Sequence, residues 1–166
     1  YDPGSHARDR KTDRNASMFD PPGHAYVYFS YGMHFAINLV CSPEGTASGV
    51  LIRAGQVIEG TELARARREA GRSSKPIASQ QLARGPGNVA SALGITRPTH
   101  DGVDLFAMPF KLRAPNEAPK RIATGPRVGV SGVAGSNAFP WRFWIEGDPT
   151  VSQYRPGKNV PTGETA

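Results

Sequence analysis

Apolar positions along this chain come in short blocks separated by turn residues. From Ala25 to Cys41 it reads AYVYFSYGMHFAINLVC, dense in aromatic and β-branched side chains and broken only by Gly32, which predicts two strands joined as a hairpin. SGVLIRAG, Ser48 to Gly55, predicts a third strand, and Pro43-Glu44-Gly45 marks a turn that would pair it with the second. Helix formers follow. Thr61 as N-cap, Glu62 in the first turn and LARARREAGR ending at Gly71 predict a short basic helix. Pro76 to Ala83 offers another helical stretch, and Gly85-Pro86-Gly87-Asn88 precedes VASALGI, a small-residue helix closed by Gly94. DLFAMPFKLR (104–113), GPRVGVS (125–131) and WRFWIEG (141–147) then predict strands between Pro and Gly turns. Hairpins with helices inserted between them give an α+β class. The expectation is one mixed domain over 1–154, built on a curved antiparallel sheet with an aromatic β-hairpin, and a disordered tail over 155–166.

Composition narrows the class. With 38% hydrophobic residues the chain can pack a core, and no run approaches the ~18 consecutive apolar residues of a membrane span. Cys41 is the only cysteine, which excludes an intrachain disulfide and fits a reducing, cytoplasmic setting. His6, His24, His34 and His100 lack metal-ligand spacing, so no metal is expected.

Charge adds a partner class. Lys plus Arg number 20 against 14 acidic residues, a net charge of +6, and Arg outnumbers Lys 15 to 5. Much of the excess lies in Arg65, Arg67, Arg68, Arg72, Lys75, Arg84 and Arg97, opposed there only by Glu62 and Glu69. A guanidinium fork suits phosphate oxygens, which makes nucleic acid the first partner to test. Solvated helix faces would give the same composition.

The chemistry-bearing residues gather on the hairpin. Tyr31-Gly32 falls where the chain must reverse, and a bulky aromatic at an exposed tip suits a wedge between base pairs. Alternatively, Tyr31 folds back onto its own hairpin. Tyr26, Tyr28, His34 and Asn38 offer stacking faces and hydrogen-bonding edges of the kind that read extruded bases. An even-length loop would put Tyr28 and Asn38 on opposite faces, whereas an odd loop or a bulge would bring them together. Arg53 interrupts an apolar strand and wants an anion, unless it points to water from an edge. Arg8, Arg10, Lys11 and Arg14 suit phosphate contacts, although Asp9 and Asp13 equally permit local ion pairs. There is no P-loop, nucleophile elbow or dinucleotide fingerprint, and Gly85-Pro86-Gly87 reads as a helix start.

SHARDRKTDRNASMFDPPGHAYVYFSYGMHFAINLVC, VLIRAG, LARGPGNVASALGI, DLF, GPRVGV and PWRFWIEGDPTVS together resemble the alkyladenine (3-methyladenine) DNA glycosylase family, in family order from His6 to about Ser152. The resemblance implies a bacterial base-excision repair enzyme that flips alkylated or deaminated purines out of double-stranded DNA and hydrolyses the N-glycosidic bond without metal or cofactor. Such a protein would act as a nucleoid-associated cytoplasmic monomer. By motif, Tyr31 resembles the residue that fills the gap left by the flipped nucleotide, with Gly32 completing the tip. Tyr28 and His6 resemble the aromatic walls around the base, and Asn38 the residue that disfavours the amino group of guanine. Arg53 resembles the arginine beside the catalytic water, Tyr1 a third stacking aromatic, and Arg8, Arg10 and Arg14 would meet the DNA backbone. The step from Tyr1 to His6 is shorter than the family's. The family's general base is a Glu two residues before that Tyr, and this chain begins at Tyr1. The expectation is therefore a fragment lacking its N-terminal strands and showing no excision by itself. A lesion-binding protein without catalysis and a general nucleic-acid module are the competing readings.

Overall fold

The computed structural model describes residues 2–70, 76–118 and 121–161. The chain is α+β, with strands in two antiparallel sheets: β1 (Ala25–Ser30), β2 (His34–Leu39) and β3 (Val50–Leu51) in one, β4 (Ile122–Gly125) and β5 (Arg142–Ile145) in the other. Among the described residues three α-helices, α1 (Thr61–Glu69), α2 (Pro86–Leu93) and α3 (Arg97–His100), lie between the sheets in sequence. Backbone contacts group these elements into two units. Lys11–Ala114 holds the first sheet and the helices, and Tyr1–Arg10 with Pro115–Ala166 holds the second sheet.

In the Lys11–Ala114 unit the hairpin is buried on both faces away from its tip. Ala25 and Val27 are sealed from solvent on one face, as are Tyr26, Ala36 and Asn38 on the other. That explains why the sequence reads as a near-continuous apolar run rather than an alternation. Ala25, Val27 and Ile37 join Val89, Ala90 and Ala92 of α2, Ala64 of α1, and Ile95 and Leu105 in one core. Small residues let α2 lie close on β2. Its C-terminus closes as the sequence predicts: Gly94 turns at φ 72°, where a side chain would be strained, and the Ile95 amide donates to the Ala90 carbonyl at 2.8 Å. α1 begins one residue earlier than expected, because Gly60 rather than Thr61 occupies the N-cap and its carbonyl accepts from the Ala64 amide at 2.9 Å.

Three expected elements differ. Only Ser79–Gln81 of the stretch Pro76 to Ala83 is helical, as one 3-10 turn. DLFAMPFKLR is a looped segment instead of a strand: the Asp104 carboxylate accepts from the Phe106 amide at 2.8 Å, and the Leu112 amide folds back to the Leu105 carbonyl at 2.9 Å. An Asp side chain that captures a nearby amide competes directly with strand pairing. GPRVGVS holds no strand beyond Gly125, since Pro126 brings no N–H and Gly129 turns at φ 72°; the strand is the preceding Ile122–Gly125.

In the other unit β4 and β5 pair from Ile122↔Ile145 to Gly125↔Arg142. The tail expected to be disordered lies outside the described residues beyond 161; before that, the Arg155 and Lys158 carbonyls accept from the Gly129 and Gly132 amides, each at 2.9 Å. Among the described residues no helix is long and apolar enough to cross a membrane.

Candidate DNA-binding hairpin

The β1–β2 register settles the alternative that the sequence leaves open. Tyr26↔Asn38, Tyr28↔Ala36 and Ser30↔His34 are opposed, so the loop is the odd one, Tyr31-Gly32-Met33. The Met33 amide closes it on the Ser30 carbonyl at 3.1 Å. Both Tyr31 (φ 51°) and Gly32 (φ 66°) are left-handed. Glycine meets that demand freely, whereas a tyrosine in this region is strained, and strained residues concentrate at functional sites. Tyr31 does not fold back onto the hairpin: it is 84% exposed.

This register puts Tyr26, Tyr28, His34, Ala36 and Asn38 on one face. The Tyr26 and Tyr28 rings stack with centroids 5.5 Å apart. Burial pushes the Tyr26 phenol up to about 12. Tyr28 is half-buried, and burial raises its phenol too; its neighbour Tyr31 raises it further, and Arg53 draws it down. The Tyr28 phenol thus stands within electrostatic reach of both the tip and Arg53. Asn38 is buried, and its Nδ2 donates to the Tyr26 carbonyl at 3.0 Å, which fixes the carboxamide.

β3 adds Arg53 to this face. Asn38 opposes Leu51, and the ladder continues through the Ile52 amide to the Ile37 carbonyl at 3.0 Å, so the next position, Arg53, comes opposite Ala36. Its carbonyl accepts from Gly85 at the start of α2, at 3.0 Å, and its Nε is sealed from solvent. Ala36, on the middle strand between Tyr28 and Arg53, adds only a methyl group to this face. On the opposite face Phe29, Phe35, Arg97, Pro98 and Asp101 line a shallow depression of about 610 Å³.

The remaining expected residues fall elsewhere. Arg14 belongs to the hairpin's unit and is exposed, and its carbonyl accepts from Arg97 at 3.4 Å. His6, Arg8 and Arg10 belong to the other unit and are exposed there; Arg8 pairs with Asp9 at 3.0 Å. Tyr1 lies outside the described residues.

Three contacts that support the hairpin were missed in sequence. Asp101 follows α3 and accepts from the Val27 amide of β1 at 2.8 Å, 74 positions away. Gly49 packs beside Asn38 at ordinary contact distance, where a Cβ would lie 3.5 Å from the Asn38 Cβ. Gly87 abuts His34 more tightly still. The GPG signal for the last was visible, but its partner strand was not.

A model of the family "Methylpurine-DNA glycosylase (MPG)" matches residues 1–149. The chain is 52% identical over 154 residues to a "Putative 3-methyladenine DNA glycosylase" of Leifsonia xyli subsp. xyli, spanning 93% of this chain and 71% of that protein. It is 52% identical over 158 residues to a protein of the same name from Streptomyces avermitilis, spanning 93% and 70%. A third, from Nocardia farcinica, is 46% identical over 167 residues, spanning 99% and 74%.

Proposed function

This chain belongs to the methylpurine-DNA glycosylase family, and we propose that it recognises alkylated or deaminated purines in duplex DNA by extruding them onto the Tyr28 face of its hairpin. Tyr31 enters the minor groove and fills the gap in the stack. Tyr28 lies against the extruded base, and the family motif makes His6 a base-contacting residue in its own unit. The fixed carboxamide of Asn38 stands where a guanine amino group would intrude, because its bond to the Tyr26 carbonyl keeps it from swinging aside. Excision is hydrolytic: the glycosidic bond breaks, the purine leaves with the bonding electrons, and water adds its oxygen to the sugar C1′ while its released proton passes to a departing neutral purine such as hypoxanthine or, where an alkylated purine leaves already neutralised, to solvent. The sugar passes through a cation-like state, and Arg53 holds the water that meets it.

The observation that carries this reading is the strained, exposed Tyr31 at the tip of the hairpin, with Tyr28, Asn38 and Arg53 on one face of the three-stranded sheet. The test is a titration at fixed salt of a hypoxanthine-containing duplex, an undamaged duplex and a hypoxanthine single strand. The lesion duplex binds tightest, and Tyr31→Ser weakens it by about the 1–3 kcal/mol that one aromatic stack supplies, with little change on the single strand. Equal affinity for both duplexes, or equal losses on duplex and single strand, refutes the proposal. Release of hypoxanthine from the bound duplex distinguishes the hydrolase from a lesion binder.

A further inference from the structure

We infer that Asp2 and Arg127 form a clasp that positions the turn carrying His6. Arg127 grips the Asp2 carboxylate with both terminal nitrogens, Nη1 to Oδ2 at 2.6 Å and Nη2 to Oδ1 at 2.7 Å, across 125 positions of sequence. Nη2 also donates to the Ala134 carbonyl at 3.0 Å, and the guanidinium lies over the Trp141 ring. The pair is largely withdrawn from solvent, with side-chain exposures of 20% and 27%. This is the planar, two-bond geometry in which arginine and carboxylate interact most strongly and directionally.

What the clasp holds is short and closely tied. Asp2 Oδ1 accepts from the Gly4 amide at 2.8 Å, and the Asp2 carbonyl from the Ser5 amide at 3.1 Å. Ser5 continues the turn, its Oγ accepting from Ala7 at 3.1 Å and its carbonyl from Arg8 at 3.3 Å. His6 sits on this turn and is exposed. Gly4 is pressed against the same wall: a Cβ there would lie 3.1 Å from the Ala134 Cβ and 3.2 Å from the Val130 Cγ1. Asp2 therefore both shapes the turn from within and ties it to Arg127. An exposed polar turn with no such tie would be ordered only on binding, at an entropic cost that lowers affinity.

The functional consequence rests on the proposed reading of His6 as a base-contacting residue. The test uses the 166-residue chain with Arg127→Lys, which keeps the charge but loses the fork, and Asp2→Asn, which weakens it. Two readouts are taken: the preference for hypoxanthine-containing over undamaged duplex, and the NMR signal of the His6 imidazole. Arg127→Lys lowers the preference about tenfold, leaves undamaged-duplex affinity within about twofold, and moves the His6 signal toward that of an unstructured peptide. Asp2→Asn acts in the same direction, and the double variant loses little more than Arg127→Lys alone. If the parent shows the preference and both variants keep it within about twofold, the clasp is overturned. If the parent shows no preference, the functional reading fails instead, and the clasp stands or falls on the His6 signal. Should Arg127→Lys fail to fold, Asp2→Asn decides both readouts.

Discussion

Gly87→Ala sets two effects of opposite sign against each other. Residue 87 lies in the first turn of α2, where replacing glycine by alanine removes freedom from the unfolded chain and improves helix propensity by about 0.5–1 kcal/mol. Against that gain, the new Cβ would stand 2.9 Å from the His34 Cβ and 3.0 Å from its Cγ. These atoms are the root of the His34 side chain, so no rotamer change removes the clash, and α2 or the start of β2 must move. Overpacking of that kind costs about 1–3 kcal/mol and wins. The expected net loss is near 1 kcal/mol, a fall of about 2–4 °C in the midpoint of a chain this size. Urea unfolding measures it, with an unchanged slope required for the comparison. His34→Gly removes the offending Cβ, and in that background Gly87→Ala should recover its propensity gain and become stabilising. Equal effects of Gly87→Ala in the two backgrounds, or a variant as stable as the parent, would refute the packing argument.

Asp101→Ala leaves the buried Val27 amide without its acceptor and should cost about 2–3 kcal/mol, whereas Asp101→Asn keeps an oxygen there and should cost less than half of that; equal losses on denaturation would count against the contact. The Tyr26 phenol, pushed up to about 12 by burial, stays neutral in the folded state after it ionises at about 10 in the unfolded chain. Stability is thus intact below pH 10 and falls by about 2–3 kcal/mol as pH rises toward 12, and Tyr26→Phe should remove that decline. A parent whose alkaline stability curve matches that of Tyr26→Phe would exclude this role for the phenol. Asn38→Ser deletes the fixed carboxamide and should narrow the affinity gap between duplexes carrying hypoxanthine and guanine opposite thymine; an unchanged gap would show that Asn38 does not screen the purine edge.

The hairpin was legible because aromatic and β-branched density is a local signal, and α2 because Pro and Gly punctuate both its ends. What escaped was anything decided between segments. Whether Tyr28 and Asn38 share a face depends on one residue of loop length, and Tyr31 at φ 51° takes a conformation that its residue type disfavours, so propensity pointed away from the observed turn. DLFAMPFKLR shows the converse failure. Its apolar run is real, yet Asp104 captures the Phe106 amide and the chain coils on itself, a local side-chain competitor that an apolar pattern does not register. Within the candidate site, the residue types were legible from motif, whereas their mutual arrangement depended on β3 joining the ladder one residue beyond its formal end.

The cations make the same point about function. Sequence marks residues 61–100 as the basic region, and charge alone would place the DNA contacts there. In the fold four of those guanidiniums bind carbonyls: Arg65 reaches Ile77, Arg67 reaches Ala92 at 3.1 Å, Arg68 reaches Leu82 at 2.8 Å, and Arg97 reaches Asp13 at 3.2 Å. Each joins two segments and supplies donors to carbonyls that lie outside regular pairing. A guanidinium committed in this way keeps its charge, so it still draws a polyanion over roughly a Debye length of 8–10 Å, but it is not available to fix a phosphate at a defined position. The basic composition is therefore sound evidence for attraction to DNA and poor evidence for where the duplex sits. Position has to come from the hairpin, whose strained tip owes nothing to charge.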